Sequence, residues 1–232
     1  MLQPGARIYP PENLAAGDGG GTLCCFAYFA HPAYTHLYAL CAGHSLKSSN
    51  EQWTKPAVRT LRGVPALTKY ALGTQDYGFA RVLTDEGVAR ITAANFTVAG
   101  AGLALRGIEE ATTAEMAAAN LAVLVAGGES GLQRGVIDNT DRPAGWSADY
   151  FGIAPRNGGA LQLTGGDSGS PVLTEDGLLV GLYTGRQANA AGDGHAFLGF
   201  RASAAFAGTP ARLATWESRE EFRAAWAAAG AE

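Results

Sequence analysis

The sequence predicts an all-β protein made of two β halves and closed by a C-terminal helix. Three observations carry this: short apolar stretches rich in aromatic and β-branched residues, 32 glycines spread along 232 residues, and a composition change near the middle. Apolar residues make up 47% of the chain and charged residues 16%, enough to bury a sizeable core. Glycine spread along the chain, rather than held in one tract, fits many tight turns between short strands.

Residues 1–21 hold Pro4, Pro10, Pro11 and the run Gly17-Asp18-Gly19-Gly20-Gly21. They read as a loop-like lead-in outside the core. Residues 22–30, 35–40, 77–83 and 95–98 read as strands of a first half spanning 22–108. Lys47-Ser48-Ser49-Asn50 and Thr84-Asp85-Glu86-Gly87 read as polar turns between them. Residues 109–120 shift towards alanine and acid, as a short helix or a connector. The second half, 121–210, resumes with strands at 121–126, 135–139, 159–163, 170–173, 178–184 and 196–200. Within 211–232, residues 215–226 form the clearest helix, with Phe222 and Trp226 an i,i+4 aromatic pair. Two packed barrels fit this order, and a single sandwich fits it as well.

Composition also excludes some functions. A net charge of −4 with no basic stripe gives no footprint for nucleic acid. No apolar run approaches the roughly 20 residues that span a bilayer, so no membrane partner is expected. The first residues lack the basic and apolar regions of a secretory signal, so the expected location is cytoplasmic, or secreted if a leader has been removed. Cys24, Cys25 and Cys41 allow at most one disulfide and read as three buried thiols. With His44 they lack the spacing of a tetrahedral metal site, and neither metal nor cofactor is expected. Nothing in the pattern speaks to oligomeric state.

The chemistry concentrates in Thr164-Gly165-Gly166-Asp167-Ser168-Gly169-Ser170-Pro171-Val172. A serine flanked by glycines can fold so that its own N–H and that of Gly166 converge on one point, as a developing oxyanion requires. The plain alternative is a glycine-rich turn before a strand. A serine hydroxyl needs a base. Of four histidines, His44 follows an apolar strand directly, in Ala42-Gly43-His44-Ser45. His31 and His195 read as turn residues and His36 as a strand residue. The base needs an acceptor that fixes its tautomer, and Asp76 opens an apolar strand where a carboxylate is partly shielded. Asp85 reads as solvated, and Asp138 is a weaker rival in the second half.

Gly166-Asp167-Ser168-Gly169-Ser170-Pro171 resembles the nucleophile motif of the chymotrypsin-like (trypsin-like) serine peptidases, in their bacterial form. Ala42-Gly43-His44 resembles that family's histidine motif, and Asp76-Tyr77-Gly78-Phe79-Ala80-Arg81-Val82 its aspartate strand. The order His, Asp, Ser is the family's, with separations of 32 and 92 residues. The likeness covers about residues 20–206. It implies two packed six-stranded antiparallel β-barrels and a serine endopeptidase. It further implies Ser168 as nucleophile, His44 as base, Asp76 as its orienter, and the Gly166 and Ser168 amides as oxyanion hole. The substrate would be a peptide or protein, paired in part to Gly181-Leu182-Tyr183-Thr184-Gly185 by strand addition. Its side-chain pocket would be lined by Gln162, Leu163, Thr164, Tyr183, Thr184, Gly185 and Arg186.

Thr164-Gly165-Gly166 and Ser170-Pro171-Val172 also resemble glutamyl endopeptidases, which place a histidine where Tyr183 stands here. Arg186 reads as a solvated rim residue, with selection of acidic side chains as the alternative. Gln162 stands where a trypsin-like preference needs an acid. Ser45 stands where secreted members usually carry cysteine. No Ile-Val-Gly-Gly start is present to pair with the aspartate before the nucleophile. The resemblance to bacterial-type members therefore implies Arg134 as the partner of Asp167. Two rival readings compete: a chymotrypsin-fold module that only binds peptides or proteins, and an α/β-hydrolase esterase. A full set of His44, Asp76 and Ser168 argues against the first. Ser170 in place of the last elbow glycine, with no alternating helices, argues against the second.

Overall fold

The computed structural model describes residues 2–9, 20–31, 34–46, 58–62, 64–68, 75–93, 96–139, 146–188, 195–207 and 209–229. The first half contains β1 (Leu23–His31), β2 (Tyr34–Cys41), a 3-10 turn at Gly43–Leu46, β3 (Val58–Leu61), β4 (Val64–Thr68), β5 (Gly78–Val82) and α1 (Asp85–Ala93). β6 (Gly107–Ile108) and α2 (Thr113–Ala118) lead to the second half. That half comprises β7 (Ala122–Gly127), β8 (Gly131–Ile137), β9 (Tyr150–Pro155), β10 (Pro171–Leu173), β11 (Leu178–Ala188) and β12 (His195–Arg201). Helix α3 (Ala202–Ala207), β13 (Arg212–Leu213) and α4 (Arg219–Ala229) follow.

The expected all-β architecture is present. One sheet has six strands in the order β13-β1-β2-β5-β4-β3. The other runs β10-β7-β8-β9-β12-β11-β6, and β10 also pairs with β11, which closes six antiparallel strands into a barrel. β6 is a short parallel addition outside that ring. β13 crosses back from the end of the chain to pair with β1 through Ala27↔Leu213.

Alternation along β1 sorts its side chains to two cores, because successive residues point to opposite faces of a strand. Phe26 and Tyr28 enter the first half's core with Leu37, Leu61 and Ala80. Cys25 and Ala27 turn the other way and meet Leu124, Leu173, Leu182 and Phe200 of the second half. A bulge between Leu23 and Cys25 resets the register where the strand begins. From Leu23 to Tyr28 both faces of β1 are therefore dry, which explains the apolar run there. All three cysteines are buried and free. Burial pushes the thiols of Cys24 and Cys41 well up, which leaves them un-ionised and inert.

Helix α4 lies against β1 and β2. Phe222 is fully buried, with its ring 5.6 Å from Tyr28 and 6.4 Å from Phe96. Trp226 follows on the same face at 5.9 Å. The helix starts at Arg219, later than residue 215, because Thr215 and Ser218 bond reciprocally ahead of it.

Several expectations are corrected. The lead-in is not outside the core: Leu2 and Ile8 are buried, and Ile8 N donates to Gly21 O at 2.8 Å. Pro10, Pro11, residues 17–19 and the predicted turn at 47–50 lie outside the described residues. Thr84-Asp85-Glu86-Gly87 begins α1, with Thr84 Oγ1 accepting from Gly87 N at 3.2 Å. A threonine cap followed by two acids is a helix start, and Gly87 disguises it. Residues 96–98 form no strand; Thr97 makes a single bridge to Ala104. Residues 159–163 pair with nothing in a ladder, although Leu161 and Leu163 are buried in the second core. Their alternation records side-chain burial without strand pairing. Strands β3, β4 and β9 go unpredicted, and Pro65, Gly152 and Pro155 break the pattern in the latter two.

Truncating Phe222 to alanine should cost about 3–5 kcal/mol, read from the urea midpoint. A change under about 1 kcal/mol would mean that α4 does not close the first half.

Candidate active site

His44 sits in the 3-10 turn that ends β2, and Asp76 just precedes β5, the strand paired with β2 through Cys41↔Gly78. Strand pairing thus brings together residues 32 positions apart. Asp76 grips His44 twice. Its Oδ1 accepts from the His44 backbone N at 2.9 Å and its Oδ2 from the ring Nδ1 at 2.6 Å. An ionised carboxylate only accepts, so Nδ1 carries the proton and Nε2 keeps its lone pair. The backbone N of Asp76 donates to Tyr150 Oη at 3.0 Å. Burial raises the pKa of that phenol, which keeps it a neutral acceptor.

Ser168 leaves a second 3-10 turn, Gly165–Asp167, and is itself 4% exposed. Its carbonyl accepts from Thr22 N at 2.8 Å and from Ser45 Oγ at 3.4 Å. Ser45 is the neighbour of His44, so the serine lies against the histidine turn although the two belong to different halves. Gly169 adopts φ +95°, and a β-carbon there would collide with Thr22 O and Ala42 N. Only glycine suits both the backbone and the space. Beyond it, Gly169 N donates to Tyr183 O at 2.6 Å, Tyr183 N to Ser170 O at 2.8 Å, and Ser170 Oγ to Asp167 O at 2.6 Å.

Asp167 has no solvent exposure, yet its carboxylate is fully occupied. Oδ1 accepts from Glu129 N at 2.9 Å and Ser130 N at 3.0 Å. Oδ2 accepts from Thr164 N at 2.8 Å, and Thr164 Oγ1 lies 3.2 Å away, its single proton shared with Glu129 Oε2 at 3.0 Å. Three of these four donors are backbone amides. The turn before Ser168 is therefore fastened to the β7–β8 turn.

An imidazole with a fixed tautomer beside a serine in a rigid turn is suited to activate that hydroxyl. No protein-family model matches the chain, and no characterised protein matches it in sequence. Among solved structures, Thermobifida fusca Protease A is similar over 92% of this chain and 98% of its own, with TM-score 0.59 and 16% identity. Nocardiopsis Protease is similar over 91% and 98%, with TM-score 0.57 and 13% identity. A glutamic acid specific serine protease, described as using a histidine triad in substrate binding, is similar over 91% and 100%, with TM-score 0.59 and 15% identity. The fold is that of the chymotrypsin-like serine proteases.

Within this chymotrypsin-like fold, the remaining predicted residues fall in different surroundings. Thr164 and Gln162 are exposed, and Gln162 N donates to Gln133 Oε1 at 3.4 Å. Leu163 does not face a pocket with its side chain; it is buried in the second barrel's core. Tyr183 is buried beside Phe197, and burial followed by the Asp167 carboxylate pushes its phenol up, with Arg186 opposing. Thr184 Oγ1 donates to Leu198 O at 3.1 Å, Gly185 is half-buried and Arg186 is exposed. Past Tyr183, whose N and O bond to Ser170 and Gly169, β11 has β12 on one side and, among the described residues, no strand on the other. That is an open edge for an extended peptide.

Arg134 is not the partner of Asp167. It projects from β8 to Glu175 at 3.7 Å, with both side chains more than half exposed, and backbone amides take its expected place. A carboxylate is satisfied by amide dipoles as well as by a cation, and amides leave no trace in residue identity. The sequence reading also misses Thr22, Ser45 and Tyr150, whose roles depend on contacts between segments far apart in the chain. Replacing Asp167 by asparagine turns an acceptor towards donors and should cost about 2–4 kcal/mol of stability. Arg134→Ala should stay within about 0.5 kcal/mol. The reverse ranking in denaturant melts would restore Arg134 to the site.

Proposed function

We propose that the chain is a serine endopeptidase acting through an acyl-enzyme on Ser168. The observation that carries this reading is the double grip of Asp76 on His44 at 2.9 and 2.6 Å, beside the turn that holds Ser168. A histidine bound through Nδ1 has its Nε2 lone pair available to a hydroxyl. Asp76 holds the ring and stabilises the imidazolium when it forms. A binding module has no use for a base held in one tautomer.

In the mechanism, His44 Nε2 takes the Ser168 proton as Oγ attacks the scissile carbonyl. The carbonyl oxygen becomes an oxyanion, held by the Gly166 and Ser168 amides. His44 returns the proton to the leaving amine, which departs and leaves the acyl-enzyme. Water then attacks, again with His44 as base, and hydrolysis is complete. Substrate backbone adds to the open edge of β11 beyond Tyr183, which presents the scissile bond to Ser168. Gln162, Thr164, Gly185 and Arg186 border the place where the substrate side chain would lie.

Ser168→Ala should lower kcat by about 10⁶-fold, roughly 8 kcal/mol of barrier. A fluorophosphonate probe, with the adduct located by mass spectrometry, checks this directly. An adduct on Ser168 that is lost in the variant supports the reading. A folded chain that takes no label, or a kcat loss of only about tenfold, would transfer the reading to a peptide-binding module.

A further inference from the structure

Residues 2–8 run as a strap along the first half. Gly5 N donates to Leu23 O at 2.7 Å, Ile8 N to Gly21 O at 2.8 Å, and Ala99 N to Pro4 O at 2.7 Å. The strap carries Arg7 over the β7–β8 turn and towards the turn before Ser168. Its Cγ lies 2.9 Å from where a β-carbon on Gly128 would stand. Its Nη2 lies 3.3 Å from the same position on Gly166. Only 18% of the Arg7 side chain is exposed, and Nη1 is 3.8 Å from Glu129 Oε2.

Glu129 joins this strap to the site. Its carboxylate accepts from Thr164 Oγ1 at 3.0 Å and fills the space where a side chain on Gly166 would collide with it. Its backbone N donates to Asp167 Oδ1 at 2.9 Å. One residue is thus held by the strap through its side chain and holds the nucleophile's turn through its main chain. We propose that Arg7 is a positioning residue for the oxyanion donors, acting through Glu129 on Gly166 and Asp167. The inference rests on the serine-peptidase reading of the same site.

The pair does not do this by adding much stability, since Glu129 is 43% exposed and such pairs are weak. Its effect is geometric. The two amides act on a charge that exists only in the transition state, and a misplacement of about 1 Å there is enough to slow the reaction markedly. The cation fixes where the Glu129 carboxylate rests, and with it the position of residues 128–130 against residues 164–168.

The test is Arg7→Met, which keeps an aliphatic stem over Gly128 and removes the cation. Amide exchange at residues 128–130 and 164–168 should speed by about tenfold or more, with β11 and β12 unchanged. Hydrolysis of p-nitrophenyl acetate relative to its thiono analogue should fall by about tenfold, because sulfur gains little from amide donors and so depends little on their placement. A smaller folded fraction would slow both esters alike and leave the ratio intact. Arg7→Lys should recover part of the ratio, and Glu129→Gln added to Arg7→Met should change little more.

Unchanged exchange at both turns overturns the proposal, and so does an unchanged ester ratio. If Arg7→Met loosens the whole chain, Glu129→Gln, which leaves the strap intact, decides by the same two readouts. If the native chain acylates with neither ester nor fluorophosphonate, the peptidase reading falls. The exchange pattern then still decides whether Arg7 holds the turn.

Discussion

A carboxylate without access to water must find its donors inside the protein, and Asp167 is the group that imposes this on the second barrel. Four donors converge on it, from Thr164, Glu129 and Ser130. Burying such a charge is costly unless every lone pair is used, so the surroundings are held to one arrangement. That arrangement joins the turn before Ser168 to the β7–β8 turn. The serine's geometry is a by-product of satisfying its neighbour.

The same turn is fastened from the other side by the first half. Thr22, fully buried at the foot of β1, donates its N to Ser168 O and its Oγ1 to Gly166 O, and accepts from Gly128 N. One threonine therefore touches both Gly166 and Ser168, and the turn that satisfies Asp167. It belongs to the half that carries His44. The apolar face of β1, with Cys25 and Ala27 against Leu182 and Phe200, sets the distance at which these hydrogen bonds form. His44 and Ser168 come from different halves, so their alignment is a property of this interface.

Much of the site is legible in the sequence where the chemistry demands a particular residue type. Gly169 must be glycine because of its φ and the approach of Thr22 and Ala42. His44 and Asp76 stand out because an imidazole and a carboxylate in reach of one another make a tautomer-fixing pair. Most strands of the two sheets show through their apolar stretches, as do α2 and α4 through composition and pairing. What escapes is held by the main chain or by distant contacts. The donors to Asp167 are mostly amides, which any residue supplies, so a search by residue type selects Arg134 wrongly. Tyr150 lies in β9, a strand whose glycine and proline hide it. The strap of residues 2–8 reads as a loop because Pro4 and Gly5 punctuate it, while its hold depends on two buried side chains, Leu2 and Ile8.

The contrast in burial across the site follows from its division between the halves. His44 keeps 43% of its side chain exposed and Asp76 keeps 28%, whereas Ser168 is 4% exposed and Asp167 not at all. A base must accept and return protons, and its ring must stay open on the side where a leaving group departs. The oxyanion donors gain from a dry, rigid setting that does not reorganise as charge develops. Two strand ends hold the first pair with one carboxylate. A buried carboxylate, Thr22 and the packing of two halves are needed to hold the second. Burial is concentrated at Ser168 and Asp167, and openness at His44.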